Sequence, residues 1–241
     1  MSSHVPALIG SSHGTDDPAG RATIRALLAR VADRLPDVEV LEAFVDVQQP
    51  ALPDVVDGLP VGRGAVIVPL LLSTGFHVEV DVREAAESRA DVVAARPLGP
   101  DDRVTAILAD RWRETAADPS QPVVLAVAGS SKPSAAAAIE SVRSGFAALT
   151  GTDPIVGYGS AVSPRISEAV STARDDAPGA PVSIASYLLA PGFFQRRVAS
   201  AGGDLVSAPL GVDDRLVDVV VDRYREGVEI LSESLSEARA T

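Results

Sequence analysis

The 241-residue chain contains no cysteine, one methionine, one tryptophan and a single lysine, Lys132, and aromatic residues make up only 4% of it. Without cysteine there is no disulfide, zinc–thiolate site, iron–sulfur cluster or thiol nucleophile, so any metal must be held by His, Asp or Glu. Only three histidines are available for that, His4, His13 and His77. No apolar run is long enough to span a bilayer, and Met1-Ser2-Ser3-His4 lacks a basic stretch ahead of an apolar core. A cytoplasmic protein with no membrane association is therefore expected. Basic charge is also scarce, with a net charge of -12. Neutralising phosphates requires a basic face, so a nucleic-acid partner is not expected. Neither half carries the GxxxxGK[ST] spacing of a phosphate-binding loop, so no nucleotide is expected.

What the chain does contain is an internal duplication. Pro97-Leu98-Gly99-Pro100-Asp101-Asp102-Arg103 returns as Pro209-Leu210-Gly211-Val212-Asp213-Asp214-Arg215, and Asp110-Arg111-Trp112-Arg113-Glu114 as Asp222-Arg223-Tyr224-Arg225-Glu226. Gly10-Ser11-Ser12-His13 aligns with Gly129-Ser130-Ser131-Lys132, which puts Lys132 where His13 stands, and Gly75-Phe76-His77 aligns with Gly192-Phe193-Phe194. Two domains are expected, 1–117 bearing the histidines and 118–241 lacking them, joined at Asp118-Pro119-Ser120-Gln121-Pro122. Features common to both copies should be structural, and features that differ should be functional.

Each half alternates short β-branched runs with stretches of helical period, the pattern of parallel βαβ units. The predicted class is α/β: two tandem similar domains, each a small parallel sheet flanked by helices, with a site in the cleft between them. Strands are predicted near 7–11, 39–45, 65–71, 91–94, 123–128, 154–158, 182–187 and 205–207. In open α/β sheets ligands bind beyond the carboxyl ends of the strands. His13 follows the first predicted strand, Asp46 ends the second and His77 follows the third, with Ser160 in place of Asp46 in the second copy. Two imidazoles and a carboxylate suit a divalent first-row metal. The second copy instead offers cations, Lys132, Arg165, Arg196 and Arg197, as candidates to bind an anionic ligand. The alternative for each of these residues is a turn-bonding histidine, a capping aspartate or a solvated surface arginine.

The residues His13-Gly14, Ala43-Phe44-Val45-Asp46 with Pro50, and Pro69-Leu70-Leu71-Leu72 leading to Gly75-Phe76-His77 resemble the motifs of the sirohydrochlorin chelatases. Asp46 stands where that family usually has Glu, and Thr15-Asp16-Asp17 where it often has Ser-Arg. The resemblance implies a lyase that inserts a divalent metal (Fe2+, Co2+ or Ni2+) into an anionic tetrapyrrole without ATP, in siroheme or cobalamin biosynthesis. His13, Asp46 and His77 would handle the metal, and His13 and His77 the pyrrole protons. A fused pair of domains implies a monomer. Two other readings compete with this one. The first is a non-catalytic metal or tetrapyrrole carrier. The second is a histidine phosphatase, which would typically carry Arg where this chain has Ser12.

Overall fold

The computed structural model describes residues 5–73, 76–130 and 133–240, with the backbone alone at 76–79, 133–134 and 238–240. Eight strands alternate with eight helices among these residues: β1 (Ala7–Ser12), α1 (Pro18–Arg34), β2 (Val40–Phe44), α2 (Leu52–Asp57), β3 (Ala65–Pro69), α3 (Phe76–Glu87), β4 (Val92–Ala94) and α4 (Asp102–Arg113), then β5 (Val123–Val127), α5 (Pro133–Thr150), β6 (Ile155–Tyr158), α6 (Ile166–Asp176), β7 (Ser183–Tyr187), α7 (Phe193–Ala199), β8 (Leu205–Val206) and α8 (Asp214–Ala240). They build two four-stranded, wholly parallel sheets of order β2-β1-β3-β4 and β6-β5-β7-β8. The α/β class of two parallel sheets flanked by helices is as predicted.

Composition explains why the central strands form where they do. Ala65-Val66-Ile67-Val68 in β3 and Val123 to Val127 in β5 are buried along their whole length, as suits strands covered on both faces. In the first sheet Ile9, Ala43 and Ile67 pack with Leu52 and Val56 of α2 and with Val82 and Ala85 of α3. In the second sheet Val124, Ala126 and Ile184 pack with Ile166 and Ala169 of α6 and Val198 of α7.

The repeated Pro-Leu-Gly-x-Asp-Asp-Arg segment is a helix start. Asp101 caps α4 by accepting a hydrogen bond from the Arg103 backbone N–H at 3.0 Å, while the Arg103 guanidinium folds back on the same carboxylate. Asp213 and Arg215 repeat this arrangement at the head of α8, at 3.0 Å and 2.9 Å. A carboxylate satisfies otherwise unpaired N–H groups at the positive end of a helix, which is reason enough to keep the motif in both copies. The Arg215 guanidinium holds the Asp213 carboxyl below the usual carboxylate range.

The compact units are not the two repeats. One unit consists of β1–β4 with α1–α3 and α8 from Leu216 onward, and the other of β5–β8 with α4–α7. This differs from the expected boundary at 117/118, because the last helix of each repeat covers the sheet of the other repeat. The buried Trp112 of α4 donates its indole N–H to Ser183 Oγ of β7 at 2.9 Å and meets Phe146 of α5 edge-on at 5.5 Å. In the first unit, Tyr224 of α8 donates its hydroxyl to the Pro6 carbonyl at 2.7 Å, and the fully buried Arg223 donates to the Pro97 carbonyl at 3.0 Å. Trp112 and Tyr224 are thus matched packing residues, one for each sheet.

Candidate metal-handling site

β1 ends at Ser12, and His13 follows immediately with its side chain exposed. β2 ends at Phe44, two residues before the exposed Asp46. Backbone bonds join the two strand ends: the Val45 N–H donates to the Ser12 carbonyl at 3.0 Å and the Asp46 N–H to the His13 carbonyl at 3.1 Å. Beyond Asp46 the chain reverses through a three-residue turn, in which the Gln48 N–H donates to the Asp46 carbonyl at 2.6 Å and Val47 takes a φ of 61°. A β-branched residue there is strained, and such turns concentrate where a loop must be held in one shape. Asp46 Oδ1 accepts from the Val47 N–H at 2.7 Å, which fixes the direction of the carboxylate.

The loop after His13 is clamped from two sides. Gln48 Oε1 accepts from the Thr15 N–H at 2.8 Å, and Arg21 Nε donates to the Thr15 carbonyl at 2.8 Å. Gly14, at φ 93°, lies so close to the β2 loop that a Cβ there would be 2.2 Å from the Asp46 carbonyl oxygen. The strand ends carrying His13 and Asp46 are therefore in contact and stiff. The sequence does not reveal these roles of Gln48 and Arg21; its one signal is the Gln48-Gln49-Pro50 run, which points to a constrained turn.

His77 is the second residue of α3, which begins at Phe76. Its side chain, like the whole of Lys132, lies outside the described residues. The strand order β2-β1-β3 places the three predicted residues after three neighbouring strands, with His13 and His77 on either side of the point where the connections reverse direction. That is where an open α/β sheet binds its ligand. Among the described side chains, no group of three or more His, Asp or Glu is gathered as a metal cluster.

The strand register corrects the alignment of the two copies. Ser12 pairs with Phe44 in the first sheet and Val127 with Tyr158 in the second. Phe44 and Tyr158 are equivalent, since their N–H groups donate to the carbonyls of Pro50 and Pro164. Gly129, at φ 95°, has the place of Gly14, with a Cβ position 2.2 Å from the Ser160 carbonyl oxygen, and the strained turn recurs at Ala161 with φ 65°. The counterpart of His13 is therefore Ala128 and not Lys132. The matching Gly-Ser-Ser runs point to a register four residues away. The other two pairings stand: Ser160 is level with Asp46, its hydroxyl donating to the Ala128 carbonyl at 3.0 Å, and Phe194 of α7 is level with His77 of α3.

The second unit has a different rim. Arg165 and Arg197 line an open recess of about 300 Å3 together with Tyr158, Ser167 and Ser200. Arg165 immediately precedes α6, where its backbone N–H donates to Glu168 Oε2 at 2.6 Å, and Arg197 Nη1 donates to the Gly159 carbonyl at 2.8 Å. Arg196, grouped with these residues on sequence, is exposed and is not part of the recess lining. At the end of β7 the buried Tyr187 hydroxyl has no hydrogen-bond partner, and burial, reinforced by the Asp101 charge, pushes its pKa up.

Residues 7–115 match the family model described as CbiX. That match covers the first repeat and supports the sirohydrochlorin chelatase family for the chain. Its fold is that of SirB from Bacillus subtilis with Fe3+, with a TM-score of 0.74 at 18% identity over 92% of this chain and 95% of that one. A second SirB structure, the sirohydrochlorin chelatase of Bacillus subtilis subspecies spizizenii in complex with cobalt, gives 0.72 at 20% identity over 93% and 95%. CbiX, described as the terminal enzyme for siroheme biosynthesis in denitrifying bacteria, gives 0.65 at 21% identity over 91% and 98%. No curated protein matches the sequence. Among the described residues no helix is long and apolar enough to cross a membrane.

Proposed function

We propose that this protein is a chelatase that inserts Fe2+ or Co2+ into metal-free sirohydrochlorin or a closely related tetrapyrrole, without ATP, as a step towards siroheme or cobalamin. The observation that carries this reading is the asymmetry between two otherwise matching strand-end loops. The same turn and the same glycine contact occur in both copies, but His13, Asp46 and His77 belong to the first copy and Ala128, Ser160 and Phe194 to the second. Strand-end geometry is thus held constant while donor chemistry is confined to one copy.

Insertion exchanges two pyrrole protons for one divalent cation. Neutral imidazole nitrogens at His13 and His77 can bind the incoming metal or accept a proton, while the Asp46 carboxylate offsets the metal's charge. Nickel remains an acceptable ion for the same donor set. Arg165 and Arg197 of the second unit supply the local positive charge that a protein of net charge -12 needs to hold a polycarboxylate substrate.

The test is to mix the protein anaerobically with excess sirohydrochlorin and either Fe2+ or Co2+ and follow the absorbance of the macrocycle. Many turnovers per chain are expected. A spectral change that stops at one equivalent, with no rate above the uncatalysed reaction, would make the protein a carrier and overturn the proposal.

A further inference from the structure

Aromatic residues are scarce in this chain, and most of those described are wholly or partly covered: Trp112, Phe44, Phe146, Tyr187 and Tyr224 are buried, and Tyr158 and Phe194 are half-buried. Phe193 is the exception, being 56% exposed on the first turn of α7, beyond the carboxyl end of β7. A lone exposed apolar residue needs no explanation in itself. What sets Phe193 apart from Val61, Leu149 or Ile230 is its surroundings.

Phe194 supports the Phe193 ring edge-on, with centroids 5.4 Å apart and planes at 77°. The guanidinium of Arg197 lies 5.1 Å from the Phe193 ring centroid, and its Nη1 is tied to the Gly159 carbonyl. Phe193 is therefore held in place beside the recess that Arg165 and Arg197 line, with more than half its surface open to solvent. Phe194, the residue that props it up, occupies the position of His77. In the second copy a position proposed to handle metal has become a support for an aromatic face.

The recess is too small and too open to enclose a tetrapyrrole, but it can take the carboxylate arms along one edge. A flat conjugated ring whose edge is anchored there needs an apolar surface next to the arginines, and aromatic pairs gain from offset or edge contact in addition to the area they bury. We propose that Phe193 is that surface: a contact for the macrocycle itself, adjacent to the carboxylate-binding arginines, which selects a rigid aromatic polycarboxylate over a flexible one. This proposal rests on the chelatase reading above and adds a residue and a selectivity to it.

The experiment measures binding of metal-free sirohydrochlorin to the full-length protein under anaerobic conditions, by the absorbance shift of the macrocycle, alongside metal-insertion kinetics. Because Phe193 is exposed, Phe193→Ala should leave the far-ultraviolet circular dichroism unchanged while weakening binding roughly tenfold, with kcat within about twofold of wild type. Phe193→Trp, which restores a flat face, should bind within about twofold of wild type. Unchanged binding by Phe193→Ala, or loss of kcat with binding intact, would overturn the role of Phe193 and leave the chelatase proposal standing. Failure of the wild-type protein to bind sirohydrochlorin would overturn both.

Discussion

Gly14 and Gly129 allow the division of labour between the two copies to be tested with one methyl group. Both have φ above 90°, and at both a Cβ would come within 2.2 Å of a backbone carbonyl oxygen, that of Asp46 in one copy and Ser160 in the other. Alanine at such a φ costs about 1–2 kcal/mol, and overpacking against backbone, which cannot rotate out of the way, adds about 1–3 kcal/mol. Gly14→Ala and Gly129→Ala should therefore each lose about 2–5 kcal/mol. With urea m-values of about 1–3 kcal/mol/M, that lowers the unfolding midpoint by roughly 1 M or more. The functional consequences should differ. Relieving the contact in Gly14→Ala displaces Asp46 from His13 by about 1 Å, and a misplacement of that size costs on the order of 100-fold in rate. Gly129→Ala moves Ser160, which has no metal chemistry to lose, so kcat should stay within a few-fold of wild type. Urea midpoints and initial insertion rates for both variants, measured well below the unfolding transition, decide the matter. Equal loss of kcat in the two variants, or full activity in Gly14→Ala, would refute the claim that the shared loop is scaffold and the first copy alone carries the metal chemistry.

Two further outcomes follow from the same structure. Arg89 donates to Asp91 at 2.9 Å and to the Leu59 carbonyl at 2.8 Å, and its guanidinium holds the Asp91 carboxyl below the usual carboxylate range. A depressed folded-state pKa contributes stability that is present above the unfolded value of about 4 and lost as pH falls through the folded value. Asp91→Asn should therefore be about 1–2 kcal/mol less stable than wild type in urea unfolding at pH 7, with the gap closing as the pH drops below about 4. On the second unit, Arg165→Ala should raise the KM for sirohydrochlorin roughly tenfold with little change in kcat, since it removes an exposed charge that touches no reacting atom. An unchanged KM would return Arg165 to the role of a solvated surface charge.

Much of this arrangement is legible in the sequence because strand ends are easy to locate. Runs such as Ala65-Val66-Ile67-Val68 mark strands buried on both faces, so the residues that follow such runs, His13, Asp46 and His77, can be assigned to strand ends from the residue pattern alone. The register of the duplication is not legible. Gly-Ser-Ser occurs before His13 in one copy and after Ala128 in the other, and only the pairing of Ser12 with Phe44 and of Val127 with Tyr158 shows that the runs are out of step. The exchange of final helices is hidden for a different reason. An amphipathic helix such as α4 presents the same apolar stripe to whichever sheet it covers, and it takes the bond from Trp112 to Ser183 to show which one that is. Phe193 leaves no mark in the sequence either. The duplication singles out Phe194, the residue aligned with His77, and no pattern in one sequence distinguishes an exposed phenylalanine from a buried one.

The central claim, that the first copy handles metal while the second holds the macrocycle, is tested most directly by comparing wild type with His13→Ala and His77→Ala in anaerobic insertion of Fe2+ or Co2+, with binding of metal-free sirohydrochlorin measured on the same samples. The account predicts that both variants lose insertion while binding sirohydrochlorin with nearly wild-type affinity. Insertion that survives both substitutions, or affinity for the macrocycle that falls in step with the rate, would contradict it.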